Sequence, residues 1–333
     1  MSNYTNYYSG AVATMCGVHN IFYSNNCNNF LEYAEKHNTP VFMDELRNLG
    51  YNFFVSYAAS LNWPGFYRNI YYNTGLTAES DADEEPSLYK REIIATERFI
   101  NFLNSKPKDP FFAVVHYDSL HGYSQNPDMI KFRPYNEFLL DYSALETSQM
   151  RLSRFNVYKN AAYHVDSLIG KIWNNKNFQE LLKDSIVIIT ADHGEEFFES
   201  GINYHGSRFN EWQTHVPFLF YFPGSKPKVV EANNSGFNIV PTILELLGYG
   251  NDHSGYAIGK SFLNPDYKDD IIHFATQKKK GCLINNTLFF VESNGRMSAK
   301  DFYTYSDLQG SVNLIKENAK NINQCIDDLN RFD

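Results

Sequence analysis

Along most of the chain, short apolar runs alternate with stretches whose apolar residues recur every three or four positions. The run Phe111-Phe112-Ala113-Val114-Val115 reads as a strand buried on both faces, and so does Ile186-Val187-Ile188-Ile189. Residues 51–57 and 216–222 add two more strands. Helical spacing covers 41–49, opened by Thr39-Pro40 and closed by Gly50. It returns over 88–104, and again in a long segment whose Leu152, Phe155, Tyr158, Ala162, Val165, Ile169 and Ile172 share one face. A helix over 237–247 ends at Gly248. This alternation predicts an α/β fold with a mostly parallel sheet between helices. Residues 59–86, with the acidic run 81–86, and 124–148 read as irregular, and no strand is predicted ahead of residue 14.

After Asn264-Pro265 the pattern changes to short alternating runs, with hairpin turns at Asn285-Asn286 and Asn294-Gly295. A final helix spans roughly 311–330. The expected organisation is an α/β domain over 1–265 and a small antiparallel hairpin-plus-helix subdomain over 266–333.

Composition narrows the function class. Hydrophobic residues make up 43% and charged residues 20% of 333 positions, which fits a globular chain. Against 38 acidic residues stand 29 basic ones, and a net charge of −9 argues against nucleic acid as a partner. Cys16, Cys27, Cys282 and Cys325 lack metal-type spacing. A Cys16–Cys27 bridge and free buried thiols are both open. No apolar run approaches membrane-spanning length, and residues 1–4 do not begin a signal peptide.

The candidate chemistry lies at strand ends. The 186–190 run stops at Asp192-His193-Gly194, and a carboxylate beside an imidazole suits a divalent metal. The bland alternative is a strand closed by a polar turn. His205 follows twelve positions after His193, and the 111–115 run delivers His116 and then His121-Gly122. Thr14 stands at or near the start of a short helix. It reads either as a capping hydroxyl or as a nucleophile beside free N–H groups, where an anion also settles.

The ordered set is Thr14 at a helix start, His121-Gly122, Asp192-His193-Gly194, His205-Gly206, Val216-Pro217-Phe218 and Ile239-Val240-Pro241-Thr242. It resembles the sulfatase branch of the alkaline phosphatase superfamily over nearly the whole chain. Within that branch it is most similar to the extracytoplasmic domains of phosphoethanolamine transferases and YejM-type inner-membrane proteins. The resemblance implies Thr14 as nucleophile and as a metal ligand with Asp192 and His193. It implies His121 and His205 as ligands of substrate or of a second metal.

Further implications are one or two divalent ions, zinc first with manganese or magnesium as alternatives, and a phosphate-containing lipid or envelope glycan as substrate. The implied location is the periplasmic, extracytoplasmic side of the inner membrane, with attachment only through a region ahead of this chain. Two departures stand out. Residues 1–13 contain no Asp or Glu to match the family's upstream acidic ligand, and Thr14-Met15-Cys16-Gly17-Val18 lacks the Cys-x-Pro-Ser-Arg motif of sulfate-ester hydrolases. The expected activity is therefore phosphate-ester hydrolysis or phosphoethanolamine-type transfer. The alternative is a catalytically weak regulatory or lipid-binding domain on the same fold.

Overall fold

The computed structural model describes residues 1–76, 85–108, 110–135, 147–250, 252–263, 267–292 and 294–333. Most of the acidic run and residues 136–146 of the long loop lie outside the described residues. The chain forms two compact units, one of residues 1–43 with 184–333 and one of residues 44–183.

The first unit is built on a four-stranded sheet in the order Val187–Thr190, Phe218–Tyr221, Ser2–Tyr4, Val229–Val230. Its pairing is mixed. Val187–Thr190 and Ser2–Tyr4 both run antiparallel to Phe218–Tyr221, and Ser2–Tyr4 runs parallel to Val229–Val230. The expectation of no strand ahead of Thr14 is corrected here, because Ser2–Tyr4 lies inside the sheet and Tyr7–Tyr8 pairs with Asn234–Ser235. Three residues cannot display a period, so the signal lies instead in the tyrosines. Tyr4 meets Phe218 edge-on at 5.3 Å, and Tyr7 stacks on the same ring at 4.2 Å. Ile239, Val216 and Phe262 complete this core. The helix Ile239–Leu246 follows a capping box in which the Ser235 N–H donates to Asn238 Oδ1 at 2.8 Å.

The same unit carries the antiparallel sheet Ile272–Ala275, Lys280–Ile284, Thr287–Val291, Met297–Asp301. Asn285 and Asn286 turn its central hairpin with φ of 48° and 63°, the left-handed pair such a turn needs. The expected final helix is two helices, Ser311–Glu317 and Ala319–Asn330. Asn318 divides them, its side-chain amide donating to the Leu314 carbonyl at 2.9 Å in competition with the helical ladder. Ile322, Cys325 and Leu329 then pack onto Cys282, Ile284 and Phe289.

In the second unit, Asn52–Tyr57 and Phe111–His116 pair in parallel from Asn52↔Phe111 to Tyr57↔His116. The helix Leu88–Asn104 covers them, with Phe102 stacked on Phe54 at 4.6 Å. The stretch expected to be irregular contains a turn of π-helix, Tyr67–Tyr71. The helix Ser148–Trp173 starts at Thr147, whose hydroxyl accepts the Met150 N–H. Its fully buried stripe is not the expected one. Leu152 is 48% exposed, while Val157, Asn160, Ala161, His164 and Leu168 are buried. Hydrogen bonds move the buried face. Asn160 Oδ1 accepts the Lys131 and Phe132 N–H groups, and His164 Nε2 contacts the Tyr89 carbonyl at 3.1 Å.

Glu92 is the buried carboxylate of this unit. Its Oε1 accepts the N–H groups of Asp118 at 2.8 Å and Ser119 at 2.7 Å. Burial pushes its carboxyl up to about 7, against hydrogen bonds that pull the other way. A raised folded-state pKa makes the protonated form the favoured folded form. Its contribution is complete below about pH 4.5, where the unfolded group is also protonated, and is lost as pH rises through about 7. Glu92→Gln removes this slope, so the variant should gain on the parent by on the order of 1–3 kcal/mol between pH 4.5 and 7.5. Urea midpoints at both pH values measure it, and parallel curves would give Glu92 an ordinary pKa.

Cys16 and Cys27 form a disulfide, and Cys282 and Cys325 are free and buried. The bridge ties the helix Thr14–Tyr23 to the turn that follows it. Replacing both cysteines by alanine should cost about 3 kcal/mol, the closure entropy of so short a loop. Denaturant unfolding with and without reductant checks this: the parent should shift on reduction and the variant should not.

Candidate functional site

The turn after Val187–Thr190 carries Asp192, His193, Gly194 and Glu195, and a two-stranded hairpin, Glu196–Phe197 with Asn203–Tyr204, leads to His205. The first turn of the helix Thr14–Tyr23 faces them. Ala13, not Thr14, occupies the capping position, and no side-chain bond caps this helix. The Thr14 hydroxyl is instead 3.2 Å from His193 Nε2. The capping reading is set aside: the hydroxyl bonds the imidazole and not its own helix.

What lets the helix come so close is Gly17. A Cβ there would stand 2.0 Å from the Asp192 carbonyl oxygen. Gly194 plays the same part on the other side, since a Cβ would stand 2.2 Å from the Trp212 carbonyl oxygen. The disulfide from Cys16 holds the same helical turn.

His193 is oriented by its own backbone neighbour. Its Nδ1 lies 2.9 Å from the Gly194 carbonyl, an acceptor, so Nδ1 carries the proton and Nε2 presents a lone pair. That lone pair faces the Thr14 hydroxyl at 3.2 Å and Asp192 Oδ2 at 3.5 Å. An imidazole lone pair beside a carboxylate oxygen suits a cation. Among the described residues no three His, Cys, Asp or Glu side chains are grouped to hold a metal. The donor set is therefore Asp192 and His193 plus the Thr14 hydroxyl, chemically suited to a divalent ion and short of a closed cage.

His205 completes the cluster. Its ring lies 4.1 Å from that of His193, centroid to centroid, and its Nδ1 bonds Glu195 Oε2 at 2.7 Å. Tyr204, immediately before it, adopts a φ of 94°, a strained backbone for a residue with a bulky side chain. The hairpin that imposes this is held from beneath by Glu196. This fully buried carboxylate accepts the Ser200 N–H at 2.8 Å, Asn210 Nδ2 at 2.8 Å and Gln213 Nε2 at 3.1 Å. Burial opposes its ionisation, but hydrogen bonds from Ser200, Asn210 and Gln213 outweigh it and hold the carboxyl below its ordinary range.

The structure thus brings Thr14, Asp192, His193 and His205 together in the first unit. His121 belongs to the second, in an exposed turn after Phe111–His116, and is described there. Sequence reasoning passed over Gly17, Glu195 and Glu196. A glycine inside a ten-residue helix was the available signal for the first. The two glutamates showed only as a polar pair after the strand.

The family model described as Sulfatase matches residues 1–249. The chain belongs to the sulfatase family. A similar curated member is the endo-4-O-sulfatase of Bacteroides thetaiotaomicron, 25% identical over 164 residues, 46% of this chain and 32% of that protein. The match thus spans about a third of that relative's length. Among solved structures, the phosphonate monoester hydrolase of Silicibacter pomeroyi superposes over 98% of this chain and 89% of its own, with TM-score 0.70 and 15% identity. An alkaline phosphatase superfamily protein from Vibrio parahaemolyticus does so over 97% and 79%, with TM-score 0.68 and 17% identity. These likenesses establish the fold. They bear out the α/β class with a central sheet and a small antiparallel C-terminal sheet.

The Gly17 contact can be tested in this sulfatase-family chain. Gly17→Ala should leave the protein folded at a cost of about 1–3 kcal/mol, because one added methyl must push helix and strand end apart. Divalent-ion affinity should fall at least tenfold in calorimetry. Unchanged affinity would mean that the close approach does not set the site.

Proposed function

We propose that the chain is a divalent-metal-dependent hydrolase, or a phosphoethanolamine-type transferase, that acts on phosphate esters through Thr14. The observation that carries this reading is the commitment of the Thr14 hydroxyl to His193 Nε2 beside the Asp192 carboxylate. Asp192, His193 and Thr14 would hold the ion, zinc first and manganese or magnesium as alternatives. Bound there, it would acidify the Thr14 hydroxyl and offset charge gathering on the ester oxygens.

Thr14 Oγ1 attacks phosphorus in line, the bond to the leaving oxygen breaks, and a Thr14 ester forms. In this reading His205, its Nδ1 held by Glu195, takes the Thr14 proton at Nε2 and gives it to the departing oxygen, and the reverse relay serves the second displacement. Water or an acceptor hydroxyl then attacks the same phosphorus and releases Thr14. His121 is assigned to the substrate side. Family relatives with sulfatase names keep sulfate esters in play. Two features favour phosphorus: the missing Cys-x-Pro-Ser-Arg motif, and the disulfide that consumes Cys16 next to the nucleophile.

A disulfide fits an oxidising, extracytoplasmic compartment, where a phosphate-containing lipid or envelope glycan would be the substrate. No helix among the described residues is long and apolar enough to cross a membrane. The antiparallel sheet and its helices over 266–333 are retained as a subdomain in this reading. A second reading, a regulatory or lipid-binding domain, is favoured by the short donor set alone.

The test uses the parent, Thr14→Ala and Asp192→Ala with zinc, manganese and magnesium in turn. Substrates are an aryl phosphodiester, a phosphoethanolamine lipid and an aryl sulfate. Metal-dependent turnover of the phosphorus substrates, reduced at least about a hundredfold by Thr14→Ala, is expected. Asp192→Ala should lose the ion itself by metal analysis. Turnover of nothing with any metal selects the regulatory reading, and preference for the aryl sulfate selects sulfate-ester hydrolysis.

A further inference from the structure

We infer that Glu92 is a positioning residue for His121, holding the turn that carries it through the N–H groups of Asp118 and Ser119. The inference deepens the proposed function, because it takes His121 as a substrate-side residue.

Phe111–His116 ends, and the chain must reverse within a few residues before Gly122. The far end of this turn is closed by the Ser124 N–H on the Ser119 carbonyl at 2.8 Å, while the bonds inside it are long: the Gly122 N–H reaches the Asp118 carbonyl at 3.3 Å and the Tyr123 N–H reaches Leu120 at 3.4 Å. At its near end the short bonds run outward to Glu92, at 2.8 Å and 2.7 Å, and both end on the same Oε1. One carboxylate oxygen thus fixes two successive peptide planes, two and three residues before His121.

Glu92 is itself held. It lies inside the helix Leu88–Asn104 and is fully buried. Tyr117 and His164 approach it. The Tyr117 hydroxyl pairs with Thr96 at 3.0 Å, one turn along the same helix. His164 Nε2 is 3.8 Å from Glu92 Oε2 and 3.1 Å from the Tyr89 carbonyl. Burial lowers the imidazole's pKa and keeps it neutral. No cation therefore claims the carboxylate from His164, and its directed interactions are with the turn. A carboxylate used only to complete a fold has no need to sit where its removal frees the peptides before an exposed histidine. An apolar residue would fill the same space but take the acceptor from the Asp118 and Ser119 N–H groups.

The test separates this role from the catalytic reading by starting with readouts that need no turnover. Amide exchange across 117–122 and the rate of His121 carbethoxylation are followed by mass spectrometry in the parent, Glu92→Gln, Glu92→Asp and Glu92→Ala. Gln keeps one acceptor oxygen at the same reach and should stay within twofold of the parent. Asp keeps the charge but withdraws it by one methylene, and Ala removes it. Both should speed exchange of the Asp118 and Ser119 amides at least tenfold and change His121 reactivity severalfold. If Ala does not fold, Asp against Gln still decides.

Parent-like exchange and reactivity in Glu92→Asp overturn the inference. On an active substrate, Glu92→Ala should lower kcat/KM tenfold or more in the parent and leave the His121→Ala background within twofold. Equal losses in both backgrounds make Glu92 merely structural. An inactive parent with the expected exchange pattern would defeat the proposed function and leave the positioning role standing.

Discussion

The site depends on how closely one helix can approach one strand end. Gly17 faces the Asp192 carbonyl with no room for a methyl group, and this contact sets the separation between Thr14 and His193. Other features serve the same approach. The disulfide from Cys16 fixes the helical turn from behind, and Gly194 lets the Asp192–His193 turn lie against the Trp212 carbonyl. Packing alone would not impose so short a distance, because interiors favour ordinary van der Waals separation. The cost falls on glycine in a helix, roughly 1 kcal/mol relative to alanine.

Two of the histidine-bearing turns rest on a buried carboxylate. Glu196 gathers Ser200, Asn210 and Gln213 beneath the hairpin before His205, and Glu92 gathers Asp118 and Ser119 before His121. One carboxyl oxygen can accept several N–H groups at once, so a single side chain fixes a whole turn. The balance differs between the two. Glu196 has enough donors to stay ionised below its ordinary range, whereas for Glu92 burial outweighs two amides.

How much of this was legible follows from what periodicity records. The buried strands 111–115 and 186–190 showed as continuous apolar runs, and the polar residues that end them stood out by contrast. Asp192, His193 and, a few residues further on, His121 were visible that way, whereas Thr14 showed at a helix start and His205 by its place twelve residues after His193. Periodicity did not report the buried face of Ser148–Trp173, because Asn160 and His164 are interior by virtue of hydrogen bonds that hydropathy scores against them. It missed Ser2–Tyr4 because three residues hold no pattern, and it joined two helices that Asn318 separates. Strand direction was equally hidden. An apolar run looks the same whether its neighbour is parallel or antiparallel, and Phe218–Tyr221 lies antiparallel to both of its neighbours.

The donor set also bears on why a hydroxyl, and not a thiol, stands at the helix start. In a compartment that oxidises Cys16 to a disulfide, a thiol two residues away would compete for the same partner. Threonine cannot enter that exchange. Its hydroxyl is a poor nucleophile at neutral pH, so it depends on what lies beside it. Here that is one imidazole with its lone pair turned inward and one carboxylate, with no third acid or imidazole placed to hold a metal ion with them among the described residues. In the proposed reading, two strong donors would leave coordination positions open to an ester oxygen and would bind an ion less tightly than a closed set of four. The same shortage that would expose the ion to substrate would also limit its retention.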